Sequence, residues 1–212
     1  LTDETIFTTD VIKTLVFIKE NPSLGNHYYI EKSKWIGNPE FKNEKGYAKL
    51  VNPDAGFRVL CLFRYWNMIQ YFFPYKDIIG EDWNTKISEF LPKFLKATDS
   101  LSYRLTALEL IAKIRDTHAN IYNSRTIEKY RGANYSPAQV KFIEDKAVVT
   151  GYFNNKLADT SMLQIGDIIT KINAKTVEAL IKERQPISPA SNYPTQLRNI
   201  ARDLLRSNET AL

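Results

Sequence analysis

The spacing of apolar residues changes between residues 122 and 138, and this change limits the folds that are open to the chain. Up to about residue 122, apolar side chains recur at intervals of three and four, as on one face of a helix. After residue 137 they come in short runs such as Ala147–Phe153, which are typical of strands. The sequence therefore predicts an α+β fold, with a helical bundle first and a β-rich module after it.

Capping residues and prolines set the limits of the predicted helices. The longest helix follows Pro53-Asp54, runs from about Ala55 to Phe73 and ends at Pro74. Polar residues interrupt its apolar run, so we expect a helix buried on most sides of a core rather than a membrane span. Pro92 predicts a kink or a break in the next helix. The other predicted helix starts are Thr9-Asp10, Asp82 and Asp99-Ser100.

Two stretches lie outside the predicted helices of the first half. Residues 22–55 are predicted as a long loop whose aromatic side chains pack over the helices that follow. Thr117–Tyr122 is predicted as a short strand that closes the helical domain. The polar residues 123–137 are predicted as a linker, which divides the chain into a helical domain, 1–122, and a second domain, 138–212.

Composition argues against several classes of function. The formal net charge is +5, but the lysines near residue 45 are interleaved with Glu44, and no dense basic run marks a nucleic-acid partner. Cys61 is the only cysteine, so neither an internal disulfide nor a zinc knuckle can form. No metal-ligand spacing or phosphate loop occurs, and we expect no cofactor, no metal and no transmembrane segment.

The second half carries a family resemblance over Leu163–Val177. A hydrophobic residue is followed by Gly166-Asp167, a predicted strand, and then Asn173-Ala174. This order resembles the PDZ domain of bacterial processing proteases, in which glycine usually stands at the position of Ala174. The resemblance implies a PDZ-like β-sandwich or barrel that could lack its last strand. Its peptide groove would lie between strand Ala147–Tyr152 and a helix that opens at Pro194.

The first half resembles the helical lead-in of the same peptidases. The matching segments are Asn38–Glu44, Pro53–Arg58, Phe63–Asn67, Tyr71–Pro74, Asp82-Trp83 and Asp116–Ala119. Together the two halves resemble a tail-specific, C-terminal-processing serine peptidase of the tricorn-like, Bacteroidetes type. The resemblance implies a hydrolase of the periplasm or cell envelope, its signal segment removed. The catalytic domain would be missing, so this fragment alone would bind peptide or protein substrates and cleave nothing.

The resemblance also assigns the candidate catalytic residues. It implies that His118 is the general base for a serine on the missing catalytic domain, with Thr117 as the neighbouring hydroxyl. Imidazole suits this task because it titrates near neutral pH, and a serine hydroxyl needs a base within hydrogen-bond reach. Asp116 could orient His118 or be a solvated loop acid. Relatives with a Ser-Lys pair also carry Asp-x-His here, so both mechanisms stay open.

Two further interpretations stay open from the sequence. The chain could be a non-enzymatic adaptor that uses the same two domains to bind peptides. Arg198, Arg202 and Arg206 recur every four residues on one predicted helix. They could meet an acidic peptide or another domain, or form a solvated helix face.

Overall fold

The chain forms an α+β structure, as the change in hydrophobic spacing predicts. The computed structural model describes residues 3–22, 25–47, 49–154, 156, 158 and 161–209. Contacts divide it into two compact units, 1–49 and 50–212, which are described separately below. No helix in these ranges combines the length and the apolar character needed to cross a bilayer.

Helices account for most of the regular structure in the described ranges. The α-helices are α1 Thr9–Glu20, α2 Ala55–Phe72, α3 Lys86–Lys96, α4 Ser100–Ala112, α5 Arg125–Arg131, α6 Val177–Arg184 and α7 Tyr193–Leu204. Short 3₁₀ turns occur at Lys76–Ile78, Trp83–Thr85 and Gln185–Ile187. The strands are β1 Ile30–Lys32, β2 Pro39–Phe41, β3 Ala138–Ile143, β4 Lys146–Tyr152, β5 Ile168–Ile169, β6 Lys171–Ile172 and β7 Lys175–Thr176.

The first unit contains α1 and an antiparallel hairpin of β1 and β2, in which Ile30 pairs with Phe41. The prediction of an irregular loop over 22–55 missed this hairpin. Tyr28, Tyr29 and Trp35 in this stretch are exposed, Trp35 by 96%, and their expected packing over the helices that follow stays a prediction. Strands of three residues in a two-stranded sheet present no face wide enough to cover such rings.

The second unit begins with helices, two of which start at the predicted caps. The Asp54 carboxylate accepts the Phe57 N–H at the start of α2. Asp82, predicted to cap the next helix, caps the 3₁₀ turn Trp83–Thr85 instead, and α3 begins after Thr85 without a side-chain cap. Asp99 forms a capping box with Ser102, since each side chain bonds to the other residue's backbone. The predicted break at Pro92 is wrong, because α3 stays helical from Lys86 to Lys96.

A hydrophobic core joins α2, α3 and α4. Leu62, Phe90, Phe94 and Leu110 are among its fully buried members. The predicted burial of α2 on most sides is wrong. Its Leu60, Phe63 and Tyr71 side chains are exposed because α3 covers one side of the helix within this unit.

Arg58, which interrupts the apolar run of α2, is buried in the same region. Its guanidinium donates to the carbonyl oxygens of Phe94, Pro53 and Leu95 at 2.8, 2.7 and 3.1 Å. Two of these carbonyls lie in the last turn of α3, where helices leave acceptors unpaired. A buried cation at a helix C-terminus also interacts favourably with the helix dipole. Arg58 therefore joins the start of α2 to the end of α3.

The strands of the second unit form one three-stranded sheet, in the order β3-β4-β5, and a small β6–β7 hairpin. As predicted, β3 and β4 meet at Glu144-Asp145, and Asn173-Ala174 makes a tight turn. All four turn residues have positive φ, so Ala174 adopts the left-handed conformation that glycine usually supplies. Ala147, Val177, Leu180 and Leu204 form a core between this sheet and helices α6 and α7.

The expected PDZ-like sandwich or barrel is not confirmed in the described residues. Its strands β5, β6 and β7 have two residues each, and β3 pairs with β4 alone. A barrel requires a strand that closes the sheet, and none does so here. The segment 123–137, predicted as a linker, contains α5, which Ser124 caps and which packs on α4. The predicted division into domains stays a prediction.

Candidate functional site

A groove between β3 and α7 is the first candidate site. The sequence prediction put strand Ala147–Tyr152, which is β4, in the wall opposite the helix. That placement is wrong, because β4 lies in the middle of the sheet, with β3 on one side and β5 on the other. Strand β3 packs beside α7 and forms the wall. The groove has a volume of about 600 Å³.

The backbone of β3 offers hydrogen-bonding groups to this groove. Strands β3 and β4 are joined by the two-residue loop Glu144-Asp145, whose positive φ values fit a type I′ turn. In such a hairpin the flanking pair Ile143 and Lys146 exchange hydrogen bonds, and the pattern alternates from there. Phe142 and Val140 then direct their N–H and C=O groups away from β4. They present the unpaired edge of the sheet.

The groove combines an apolar floor with a charged rim. Leu197 and Ala201 of α7 are buried beneath it, and Val140 and Phe142 of β3 line it. No residue of the segment 178–192 is among those that line it, so that segment does not block it. Its charged lining residues are Lys141, Glu144, Asp145, Arg198, Arg202 and Arg206.

Hydrogen bonds fix α7 at both ends. Asn192 caps its N-terminus by accepting the Thr195 N–H at 2.9 Å. Beyond its C-terminus, the Arg206 guanidinium donates to the Gly132 carbonyl at 2.7 Å and lies 4.3 Å from the centre of the Tyr135 ring. Because the end of α7 is fixed beside residues that precede β3, helix and strand run in opposite directions. The walls of the groove are therefore held by contacts at the two ends of α7.

His118, the predicted base, lies in an exposed turn after α4. The predicted strand Thr117–Tyr122 is wrong: Arg115 takes a positive φ after the helix, and the Ala119 N–H bonds to the Asp116 carbonyl at 3.3 Å. This turn projects the imidazole, whose side chain is 96% exposed. A left-handed residue just past a helix commonly reverses the chain in this way.

Asp116 is the hydrogen-bond partner of the His118 ring among the described residues. Its Oδ1 accepts the His118 backbone N–H at 2.8 Å and lies 3.3 Å from Nδ1. Of the two sequence interpretations for Asp116, this contact favours the orienting one. Asp116 also affects Tyr65 on α2. Burial of the Tyr65 phenol raises its pKa, and the nearby negative charge of Asp116 raises it further. With Nδ1 facing Asp116, the other ring nitrogen, Nε2, is directed outward.

Thr117 makes its contacts with a residue that the sequence did not single out. Its Oγ1 lies 2.8 Å from Ser191 Oγ and accepts the Ser191 N–H at 3.0 Å. The Thr117 N–H donates to Ser191 Oγ at 3.2 Å. The Thr117 hydroxyl therefore bonds across to the segment before α7. Ser191 carries no local signal for this role beyond its place next to the cap residue Asn192.

A second, more polar cavity lies on the other side of the α7 arginines. It has a volume of about 350 Å³, and Thr117, Asn120 and Tyr122 line it. Arg198, Arg202 and Arg206 line both this cavity and the groove. The arginines therefore stand between the peptide-sized groove and the segment that carries His118.

Within the ranges that the structure describes, no group of three or more His, Cys, Asp or Glu side chains could hold a metal ion. No protein-family model matches the chain, and no curated protein matches it. The features that bear on function are the groove, the exposed imidazole and the residues that carry the resemblance.

Proposed function

We propose that this chain binds an extended peptide, which adds as a strand to the free edge of β3 beside α7. The observation that carries the proposal is that, among the described strands, β3 pairs with β4 alone and turns the N–H and C=O groups of Val140 and Phe142 away from it. An unpaired edge beside an apolar groove suits main-chain pairing, with pockets for alternate side chains. The floor of Leu197 and Ala201 receives the apolar ones.

The sequence order supports assigning this groove to a PDZ-like module. Gly166-Asp167 precedes the short strand β5, and the left-handed turn Asn173-Ala174 follows β6. An antiparallel strand and helix then form the groove walls. A PDZ-like module uses the same mode of recognition, in which the backbone supplies affinity and side-chain pockets supply specificity.

We extend the proposal to a parent serine peptidase of the periplasm or cell envelope, in which His118 acts as general base. The nucleophilic serine would come from a further domain. The exposed ring with its Nδ1 side held by Asp116 supports this role, because a proton on Nδ1 leaves Nε2 unprotonated and accessible. A base must reach the hydroxyl that it activates, and an exposed ring permits a docked domain to supply one.

Peptide binding can be tested on the whole chain with a labelled peptide whose side chains are uncharged. We would use a fluorescein-labelled, C-terminally amidated octapeptide in which valine alternates with glutamine, and measure anisotropy. Ala201→Gln fills the groove floor and should weaken binding about tenfold. Ala179→Gln makes the same change on the exposed face of α6, outside the groove, and should leave binding unchanged.

Backbone pairing can be separated from simple apolar contact by N-methylation of the probe. In a strand, alternate N–H groups point in opposite directions, so only one set can face β3. One peptide would carry N-methyl groups on the backbone of its valines, and a second peptide on the backbone of its glutamines. One of these two peptides should lose binding and the other should keep it. Equal effects of the two methylation patterns would contradict strand addition.

The catalytic part needs the protein that also carries the proposed nucleophile domain. His118→Ala should abolish peptide hydrolysis in that protein while anisotropy still detects binding to the groove. Hydrolysis retained by the variant would remove His118 from the catalytic role and leave a Ser-Lys mechanism. Binding without any hydrolysis in the unmodified protein would favour the adaptor function.

A further inference from the structure

The α7 arginines give the rim of the groove a positive charge, which the binding of apolar side chains in the floor does not require. Four of its charged lining residues are cationic, Lys141, Arg198, Arg202 and Arg206, and two are anionic, Glu144 and Asp145. The anionic pair is confined to the β3–β4 turn. Because helix and strand run in opposite directions, this turn lies toward the start of α7. The middle of the groove and its other end are therefore basic.

The cations differ in how far the protein itself neutralises them. Arg206 is held by Asp203 at 3.0 Å and by the Gly132 carbonyl at 2.7 Å. Arg198 contacts the neutral side chain of Asn199 at 3.2 Å. Among the described residues, neither Arg198 nor Arg202 forms an ion pair. Asp203, the nearest acid on the helix, is shared between Arg206 and Arg131.

The positions of Arg198 and Arg202 suit a ligand that lies along β3. They are one helical turn apart on the exposed rim of α7, above the buried Leu197 and Ala201. In an extended peptide, side chains alternate between two faces. When one set enters the apolar floor, the other set lies at the level of the rim. Guanidinium groups bind carboxylates with a matched pair of donors.

We propose that the groove selects extended peptides whose outward side chains are acidic, with Arg198 and Arg202 as the residues that determine this specificity. The inference rests on the proposed peptide-binding function and adds the chemical class of the ligand. Glu128, which lines the neighbouring cavity together with both arginines, is the acid on α5 that faces the same region. It lies outside the groove and leaves its rim cationic.

The test compares three amidated octapeptides with the whole chain at low salt. Valine alternates with glutamate, glutamine or lysine, so the side chains supply the only charges that differ. We expect the glutamate peptide to bind about fivefold more tightly than the glutamine peptide, as two exposed ion pairs would give. The lysine peptide should bind most weakly, and the preference should shrink as salt rises.

Matched variants assign the preference to the two arginines. The double variant Arg198→Gln, Arg202→Gln should bind the glutamate and glutamine peptides equally and retain its affinity for the glutamine peptide. Arg125→Gln removes an exposed charge from α5, outside the groove, and should keep the preference. Ala201→Gln should weaken the binding of all the peptides.

Each contrary outcome has a distinct meaning. If the glutamate and glutamine peptides bind equally and Ala201→Gln weakens both, the acidic preference is overturned. The proposal that the groove binds peptides would still hold. A preference that appears only when the peptides end in a free carboxyl group would overturn its assignment to side chains. A preference that survives in the double variant, or in Ala201→Gln, would place it elsewhere on the surface. If no peptide binds, both proposals fail.

Discussion

Lys86 is a charged side chain that stays ionised although it is almost completely buried. Its side chain is 5% exposed, and burial by itself would lower the pKa of the ammonium. Hydrogen bonds to Glu81 at 2.5 Å and Glu89 at 2.7 Å outweigh burial and raise that pKa. The bond to Lys86 also lowers the pKa of Glu81. The three side chains tie the start of α3 to the turn before it.

Removing the Lys86 charge should therefore destabilise the fold. Lys86→Met keeps most of the apolar stem but removes the closer of the two cations that Glu81 and Glu89 share, leaving Lys113 at 3.5 and 3.8 Å. We expect a loss of about 2 kcal/mol, below the value for a fully buried pair because both carboxylates are one-third exposed. Urea denaturation measures it. Lys182→Met, at an exposed site on α6, should change the free energy of unfolding little.

The Asp99 cap predicts a dependence of stability on pH. Hydrogen bonds from the Ser102 hydroxyl and then the Ser102 N–H lower the pKa of Asp99 below its usual 3.8. A lowered folded-state pKa means that the cap stabilises the fold above the unfolded-state value and loses this effect as pH falls through the folded-state value. Asp99→Ala should therefore melt at a lower temperature near pH 6, with a difference that narrows below pH 3.8. Thermal melting across pH measures it, and a constant difference would contradict the argument.

At the scale of the elements, the groove depends on a close approach of two backbone segments. Asn134 and Ser207 exchange backbone hydrogen bonds of 2.8 and 3.1 Å, which join the chain before β3 to the chain after α7. Gly132 lies beside this bridge with φ +101°. A Cβ atom there would lie 2.5 Å from the Ser207 nitrogen, so only glycine fits.

Gly132→Ala should destabilise the second unit through both strain and collision. Gly166 provides a matched control, because its φ is +99° and a Cβ atom there would meet nothing within 4 Å. Gly166→Ala should cost about 1 kcal/mol for the left-handed backbone alone. Gly132→Ala should cost about 2 kcal/mol more, because backbone atoms have to move. Chemical denaturation of both variants gives the comparison, and equal losses would show that the close approach does not matter.

At the scale of the whole molecule, Thr117 and Ser191 join regions that are 74 residues apart. Thr117 directly precedes the candidate base, and Ser191 directly precedes the cap of the groove helix. Helix α4 packs against α3, α5 and the turn Gln185–Ile187, so the helical core and the groove belong to one compact unit. This arrangement holds the His118 turn and the start of α7 in a fixed relation.

A double-mutant cycle should measure that connection. Thr117→Val and Ser191→Ala each remove hydroxyl groups from the same set of hydrogen bonds. The sum of the two single-variant losses in the free energy of unfolding should therefore exceed the loss in the double variant by about 1 kcal/mol. The free energies come from urea denaturation of all four proteins. Strictly additive losses would mean that the two hydroxyl groups do not stabilise each other.

Short-range patterns in the sequence predicted the features that depend on a few neighbouring residues. The caps at Asp54 and Asp99, the α+β order, and the turns at Glu144-Asp145 and Asn173-Ala174 were all predicted. Each arises from hydrogen bonds or backbone sterics within about four positions of the chain. The role that the family resemblance gave His118 stays a prediction.

Contacts between segments far apart in sequence became evident only from the folded chain. The tertiary structure placed β3 rather than β4 beside α7, paired Thr117 with Ser191, buried Arg58 on three carbonyl groups and left one side of α2 exposed. A hydrophobic pattern states that a face must be covered but does not name the segment that covers it. That choice follows from packing between residues far apart in sequence, where local spacing carries no information.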